Sequence, residues 1–153
     1  MPRFPLQPLL EHSRHRMEAA ERLLRLLKRK EDEARSRLAQ LEGFRGEYQD
    51  RLRQSSSTGM DIQRFREYQA FIAKIDLAIK SQAAEVGEAH ARWEQAHQQW
   101  LAQRQKVQAY ETLATRHKDR ETRSQDRREQ KAADEQAGRR PSSDASIRDE
   151  DLA

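Results

Sequence analysis

Residues 51–65 read RLRQSSSTGMDIQRF, and the reading of this stretch decides the fold. On both sides of it apolar residues recur in steps of three and four, the spacing of one helix face. Within it, QSSSTG (54–59) is the longest polar stretch without that period in the first 115 residues. Serine and threonine hydroxyls bond nearby backbone, and Gly59 tolerates a positive φ, so the stretch predicts a turn between two helices. The expected architecture is all-α: a helical hairpin.

The upstream face is Leu10, Ser13, Met17, Ala20, Leu24, Leu27, Glu31, Ala34, Leu38, Leu41, Arg45, Tyr48 and Leu52, ten of the thirteen apolar. The downstream face is Phe65, Tyr68, Ile72, Ile75, Ile79, Gln82, Val86, Ala89, Trp93, Ala96, Trp100, Gln103, Val107, Tyr110 and Ala114, with two polar exceptions in fifteen. A 3.5-residue period held this long is the pattern of a left-handed coiled coil. The prediction is therefore a long antiparallel two-helix coiled coil over residues 1–137. Its first helix runs over about 8–53, its tip over 54–60, and its second helix over about 61–117 with a polar overhang to about 137. Residues 138–153, beginning at Gly138 and containing Pro141, read as a disordered tail.

Folding the chain at QSSSTG pairs residues whose numbers add to about 113. Trp93 then faces Ala20, Trp100 faces Ser13, Ala96 faces Met17 and Ala89 faces Leu24, so large meets small along the shaft. The same register sets Glu31 opposite Gln82, Phe65 opposite Tyr48, Tyr68 opposite Arg45 and Ile72 opposite Leu41. It leaves the second helix unpaired from about Tyr110 onward. Phe71 and Phe44 each stand one position before a seam residue. They either cover the seam or form an exposed apolar patch flanked by Gly43 and Gly46.

Composition agrees with a narrow seam. Only 35% of residues are hydrophobic against 37% charged, too little for a globular core of 153 residues. Cysteine is absent, which excludes disulfides, thiolate nucleophiles and cysteine zinc sites. No apolar run approaches the roughly 18–20 residues of a membrane span, and the first residues lack a signal peptide's apolar segment. The expectation is a soluble, cytoplasmic protein with no direct membrane insertion. The 30 basic residues are interleaved with 26 acidic ones, whereas nucleic-acid binders concentrate positive charge, so no nucleic-acid partner is expected.

No phosphate cradle or dinucleotide fingerprint surrounds the five glycines. His12 with His15, and His90 with His97, have helical spacings that could share a metal, but no carboxylate–histidine constellation accompanies them; they read as solvated histidines. Ser55 to Ser57 have no neighbouring base. The sequence predicts no enzyme, no catalytic residue, no metal and no cofactor.

With the hairpin laid out, LEGFRGEYQDRL (41–52), Gly59, RFREYQAFI (64–72), Ala78-Ile79, QAYETL (108–113) and QKAADE (130–135) resemble the flagellar export protein FliJ family. Phe4, Leu6, Leu9 and Leu10 add its N-terminal spacing. The resemblance implies a stalk of the type III export apparatus, peripherally associated with the inner membrane at the flagellar base. Its implied partners are the hexameric export ATPase, the cytoplasmic domain of the export-gate membrane protein, and export chaperones. By position, the resemblance puts gate binding on Leu41, Phe44, Tyr48, Phe71, Ile75 and Ala78. The apolar residues Phe4, Leu6 and Leu10, beside Tyr110 and Leu113, mark the open end as the ring-facing end. The alternatives are the equivalent stalk of a virulence secretion system and a basic coiled coil that binds nucleic acid.

Overall fold

The computed structural model describes residues 3–139, and they form two helices and nothing else regular: α1, Gln7–Ser57, and α2, Ile62–Arg139. At 1.5 Å per residue these are about 76 Å and about 117 Å long. They pack antiparallel along one seam. Residues 140–153, most of the expected tail, lie outside the described residues.

Helix α1 starts where the sequence allows. Pro8 falls in the first turn, where a missing N–H costs nothing, and Leu10 N–H reaches the Leu6 carbonyl at 2.9 Å. Its far end overrides the predicted turn. The helix runs through the serines to Ser57, four residues past the expected boundary. Three of the four hydroxyls there turn back on the helix's own carbonyls: Ser56 Oγ donates to Leu52 at 2.8 Å, Ser57 Oγ to Gln54 at 2.7 Å, and Thr58 Oγ1 to Ser55 at 3.2 Å. Serine so satisfied no longer competes with the helix. The tip is only 58–61, and Gly59 makes the reversal at φ +91°, a backbone region that costs other residues strain.

Moving the turn moves the register. Five cross-helix contacts join residues whose numbers add to 121: Glu31 with His90, Lys28 with Trp93, Glu21 with Trp100, Arg45 with Asp76, and Phe4 with His117. The seam layers beside these contacts pair residues whose numbers add to 120 rather than about 113, so the expected register is wrong by one heptad. Trp93 lies opposite Leu27 rather than Ala20, Trp100 opposite Ala20 rather than Ser13, Ala96 opposite Leu24 rather than Met17, and Ala89 opposite Glu31 rather than Leu24. Gln82 does not meet Glu31 but donates to the Ala34 carbonyl at 3.0 Å. Nearer the tip, Phe65 falls opposite Ser55, Tyr68 opposite Leu52 and Ile72 opposite Tyr48. Among the described residues, the unpaired part of α2 begins after His117, not at Tyr110, because the Phe4 ring sits 5.5 Å from the His117 ring.

The seam itself is as expected. All thirteen α1 positions are buried or half-buried, and so are all the α2 positions from Tyr68 to Ala114. Phe65, in the last layer before the tip, is 36% exposed because Ser55 offers it little to pack on. With the seam residues at positions a and d of the heptad, the side chains beside them fall in two rows, e and g, one along each edge of the two-helix ribbon.

Candidate docking surfaces

The e edge is closed. Arg14 pairs with Glu111 at 3.3 Å, Asp76 with Arg45, and Glu21 accepts the Trp100 indole N–H at 3.2 Å. At its centre Glu31, 1% exposed, accepts from Arg35 at 2.9 Å and from His90 Nδ1 at 2.9 Å, with Lys28 Nζ 3.7 Å from its other oxygen. Hydrogen bonding from Arg35 is the main reason its carboxyl is held below the ordinary range; burial opposes this, and His90 and Lys28 add to it.

The same edge carries a ladder of rings. His90, Trp93, His97 and Trp100 stack in order, with centroids 5.9, 5.1 and 5.8 Å apart and planes within 27° of parallel. Lys28 lies over Trp93 and Arg104 over Trp100. Trp93, facing Leu27 rather than an alanine, thus finds its space on the edge instead of inside the seam. The ladder was available in HARWEQAHQQW (90–100), whose rings alternate at steps of three and four. Among the described residues no three His, Asp or Glu side chains converge as metal ligands.

The g edge is open. Among the described residues, no side chain-to-side chain hydrogen bond and no ion pair between α1 and α2 is made from it; those lie on the e edge. The six residues expected at the gate-binding surface divide by their place on the ribbon. Phe44 and Phe71, both at g, face solvent at 53% and 44% exposure, and Ala78, also at g, is exposed. Leu41 and Tyr48 are half-buried in the seam. Ile75 is a buried d-position residue that supports the surface without reaching it.

Tyr48 organises this patch. Its ring lies 4.6 Å from Phe71 and 6.3 Å from Tyr68, with the Arg51 guanidinium above it at 5.4 Å. Phe71 therefore rests one face on Tyr48 and presents the rest to solvent. Gly43 and Gly46 approach nothing closely, so the surface beside Phe44 stays bare.

At the open end the five expected ring-facing residues divide: Tyr110 and Leu113 line one groove, while Phe4 lies against His117. Leu10 is buried at 3% and belongs to the core. Phe4, Leu6 and Tyr110 are half-buried, and Leu113 is the most open of the group. No described helix is long and apolar enough to cross a membrane.

Two comparisons relate the chain to known proteins. In fold the chain is similar to the solved structure of a protein described as a YscO homolog from Chlamydia trachomatis. The TM-score is 0.56 at 18% identity, over 90% of this chain and 94% of that one. No curated protein matches the chain significantly. The sequence model of the family described as Flagellar FliJ protein matches residues 2–146. A match over nearly the whole chain, on a two-helix hairpin with bare aromatics behind its tip, means that the chain belongs to the flagellar FliJ protein family.

Proposed function

We propose that this chain is the stalk of a flagellar type III export apparatus, joining the hexameric export ATPase at its open end to the export gate near its tip. Family membership supplies the apparatus. The single observation that carries the coupling role is the aromatic pair Phe44 and Phe71, held in solvent near one end of a rigid rod whose other end is differently built. Exposed aromatic anchors on a preorganised surface are the usual source of binding energy. Export chaperones are further helix-face partners in this reading. The chain needs no cofactor, since ATP is handled by the ring, and it works in the cytoplasm against the inner membrane at the flagellar base.

The test is calorimetric titration of the purified chain against the gate's cytoplasmic domain and, separately, against the export ATPase. Phe44→Ala with Phe71→Ala should weaken gate binding by about 2 kcal/mol or more, and leave both the helicity and the ATPase affinity at the parent's values. Unchanged gate binding would remove the patch from the coupling. Equal loss against both partners would mean that the rings hold the hairpin rather than the gate. The virulence-system alternative has the YscO-like fold in its favour; preferential binding to a virulence gate domain would establish it.

A further inference from the structure

The net charge of +4 is not spread evenly over the ribbon. From Leu9 to Lys30 on α1, and from Gln95 to Arg127 on α2, positions g and c carry no carboxylate. On α1 they are Leu9, His12, Arg16, Ala19, Leu23, Leu26 and Lys30, again in steps of three and four: a second seam beside the first, with nothing against it. On α2 the matching row is Gln95, Gln99, Ala102, Lys106, Ala109, Leu113 and Arg116, continued onto the overhang as Arg120, Arg123 and Arg127. The two rows share one surface, since Leu9, Arg16, Lys106, Ala109 and Leu113 line a single groove.

Leu9, Leu23, Leu26 and Leu113 are between 37% and 47% exposed. Arg16, Lys106 and the overhang arginines make no ion pair among the described residues, whereas the e edge matches its charges across the seam. This half of the ribbon therefore combines what coiled-coil pairing uses, leucines at heptad spacing with flanking charge, but on a face its own two helices leave free.

We propose that this edge docks an acidic amphipathic helix of a partner protein, lying lengthwise and completing a three-helix layer from about Leu23 to the overhang. Its apolar stripe would rest on the leucines, and its carboxylates would meet Arg16, Lys106 and Arg116 to Arg127. The edge from Gln95 to Arg127 is about 48 Å long, enough for more than four heptads. A second copy of this chain is disfavoured, because two carboxylate-free edges would oppose like charges. A nucleic acid would use the cations and leave the leucines wet. This inference is independent of the aromatic patch behind the tip, and failure of either leaves the other standing.

The probe is a synthetic four-heptad peptide with leucine at a and d and glutamate at e and g. A peptide of the same composition in permuted order and a 20-base-pair DNA duplex serve as controls. Titrated into the full chain at about 0.15 M salt, where surface charge alone is largely screened, the heptad peptide should bind saturably. The permuted peptide should bind at least tenfold more weakly. Leu9→Gln with Leu23→Gln and Leu113→Gln keeps every charge and should cost at least tenfold in peptide affinity, with the thermal melt unchanged. Should that variant fold poorly, Arg16→Gln with Lys106→Gln, Arg120→Gln and Arg123→Gln must produce the loss instead. The proposal is overturned if the heptad peptide does not bind, if it binds no better than the permuted one, or if the leucine changes leave a well-folded chain's affinity intact. DNA binding as tight as the peptide's, or parent self-association abolished by the leucine changes, overturns it equally.

Discussion

Replacing Glu31 by leucine tests what the buried carboxylate does for the hairpin. In the parent the side chain is 1% exposed and is held by Arg35, His90 and Lys28. Those three partners are each about half exposed, so on losing Glu31 they recover water rather than being left buried. The usual cost of breaking a buried pair, about 3–5 kcal/mol, therefore does not apply in full. Leucine also fills an a position opposite Ala89 and gains roughly 1.5–3 kcal/mol of transfer energy if fully buried. Against this stand the lost charge-assisted hydrogen bonds, about 1.5–3 kcal/mol each before rehydration of the partners. Rehydration of the half-exposed partners and the removal of a buried carboxylate's desolvation cost offset most of that loss, so Glu31→Leu should melt within about 1 kcal/mol of the parent or above it. What should be lost is uniqueness of register. A chain without cysteine allows this to be read directly: Ala34→Cys with Val86→Cys reports the observed register, and Ala34→Cys with Ile79→Cys reports the one displaced by a heptad. Oxidative cross-linking of the displaced pair should be negligible in the parent background and measurable with Glu31→Leu. Denaturant melts followed by circular dichroism, together with cross-linking yield, form the assay. A loss above about 2 kcal/mol with cross-linking confined to the observed pair would refute the argument. It would show the network to be a net stabiliser, with the register held elsewhere.

Trp93→Ala should destabilise by about 2–3 kcal/mol, below the value for a fully buried tryptophan because the ring is half exposed in its ladder; a change within about 0.5 kcal/mol would mean the ladder contributes nothing. Glu31's lowered pKa gives stability that is complete above the unfolded value near 4.3 and is lost as pH falls through the folded value. Between pH 6 and pH 3 the parent should therefore lose more stability than Glu31→Gln, and parallel melting curves would contradict this. Truncation after Gln125 removes a stretch whose described part, residues 126–139, is exposed throughout, and keeps the Phe4–His117 contact. Its unfolding free energy should stay within about 0.5 kcal/mol of the parent's, and a larger loss would show packing of that stretch against the shaft.

The seam was legible because burial follows from period alone: every a and d residue read from the spacing on α1 is turned inward. Register was not legible from the same signal. A heptad pattern slid by seven residues matches itself, so choosing among registers fell to the turn, and the serines that suggested one are helix residues bonded to their own backbone. What singles out the observed register is polar: Glu31 with His90, Glu21 with Trp100, Arg45 with Asp76. In each pair one member, His90, Glu21 or Asp76, lies next to the seam rather than in it, where a count of seam positions does not look. The surface behind the tip divides for the same reason. Phe44 and Phe71 were identifiable as off-seam residues from their position before Arg45 and Ile72, whereas Ile75, carried over by resemblance, obeys the period and is buried.

The join near His117 also has a mechanical consequence. On the tip side of it, bending must compress one helix while stretching the other, and the cross-ties along the e edge keep the two from sliding, so that part behaves as a braced beam. Beyond it, among the described residues, α2 continues alone, and a lone helix bends and twists far more readily than a tied pair. A load applied at Arg139 therefore deflects the single helix first and reaches the shaft as a moment concentrated at the layer of Phe4 and His117. Whatever grips this end must hold the braced part, or brace the single helix itself, for displacement there to arrive undiminished at Gly59.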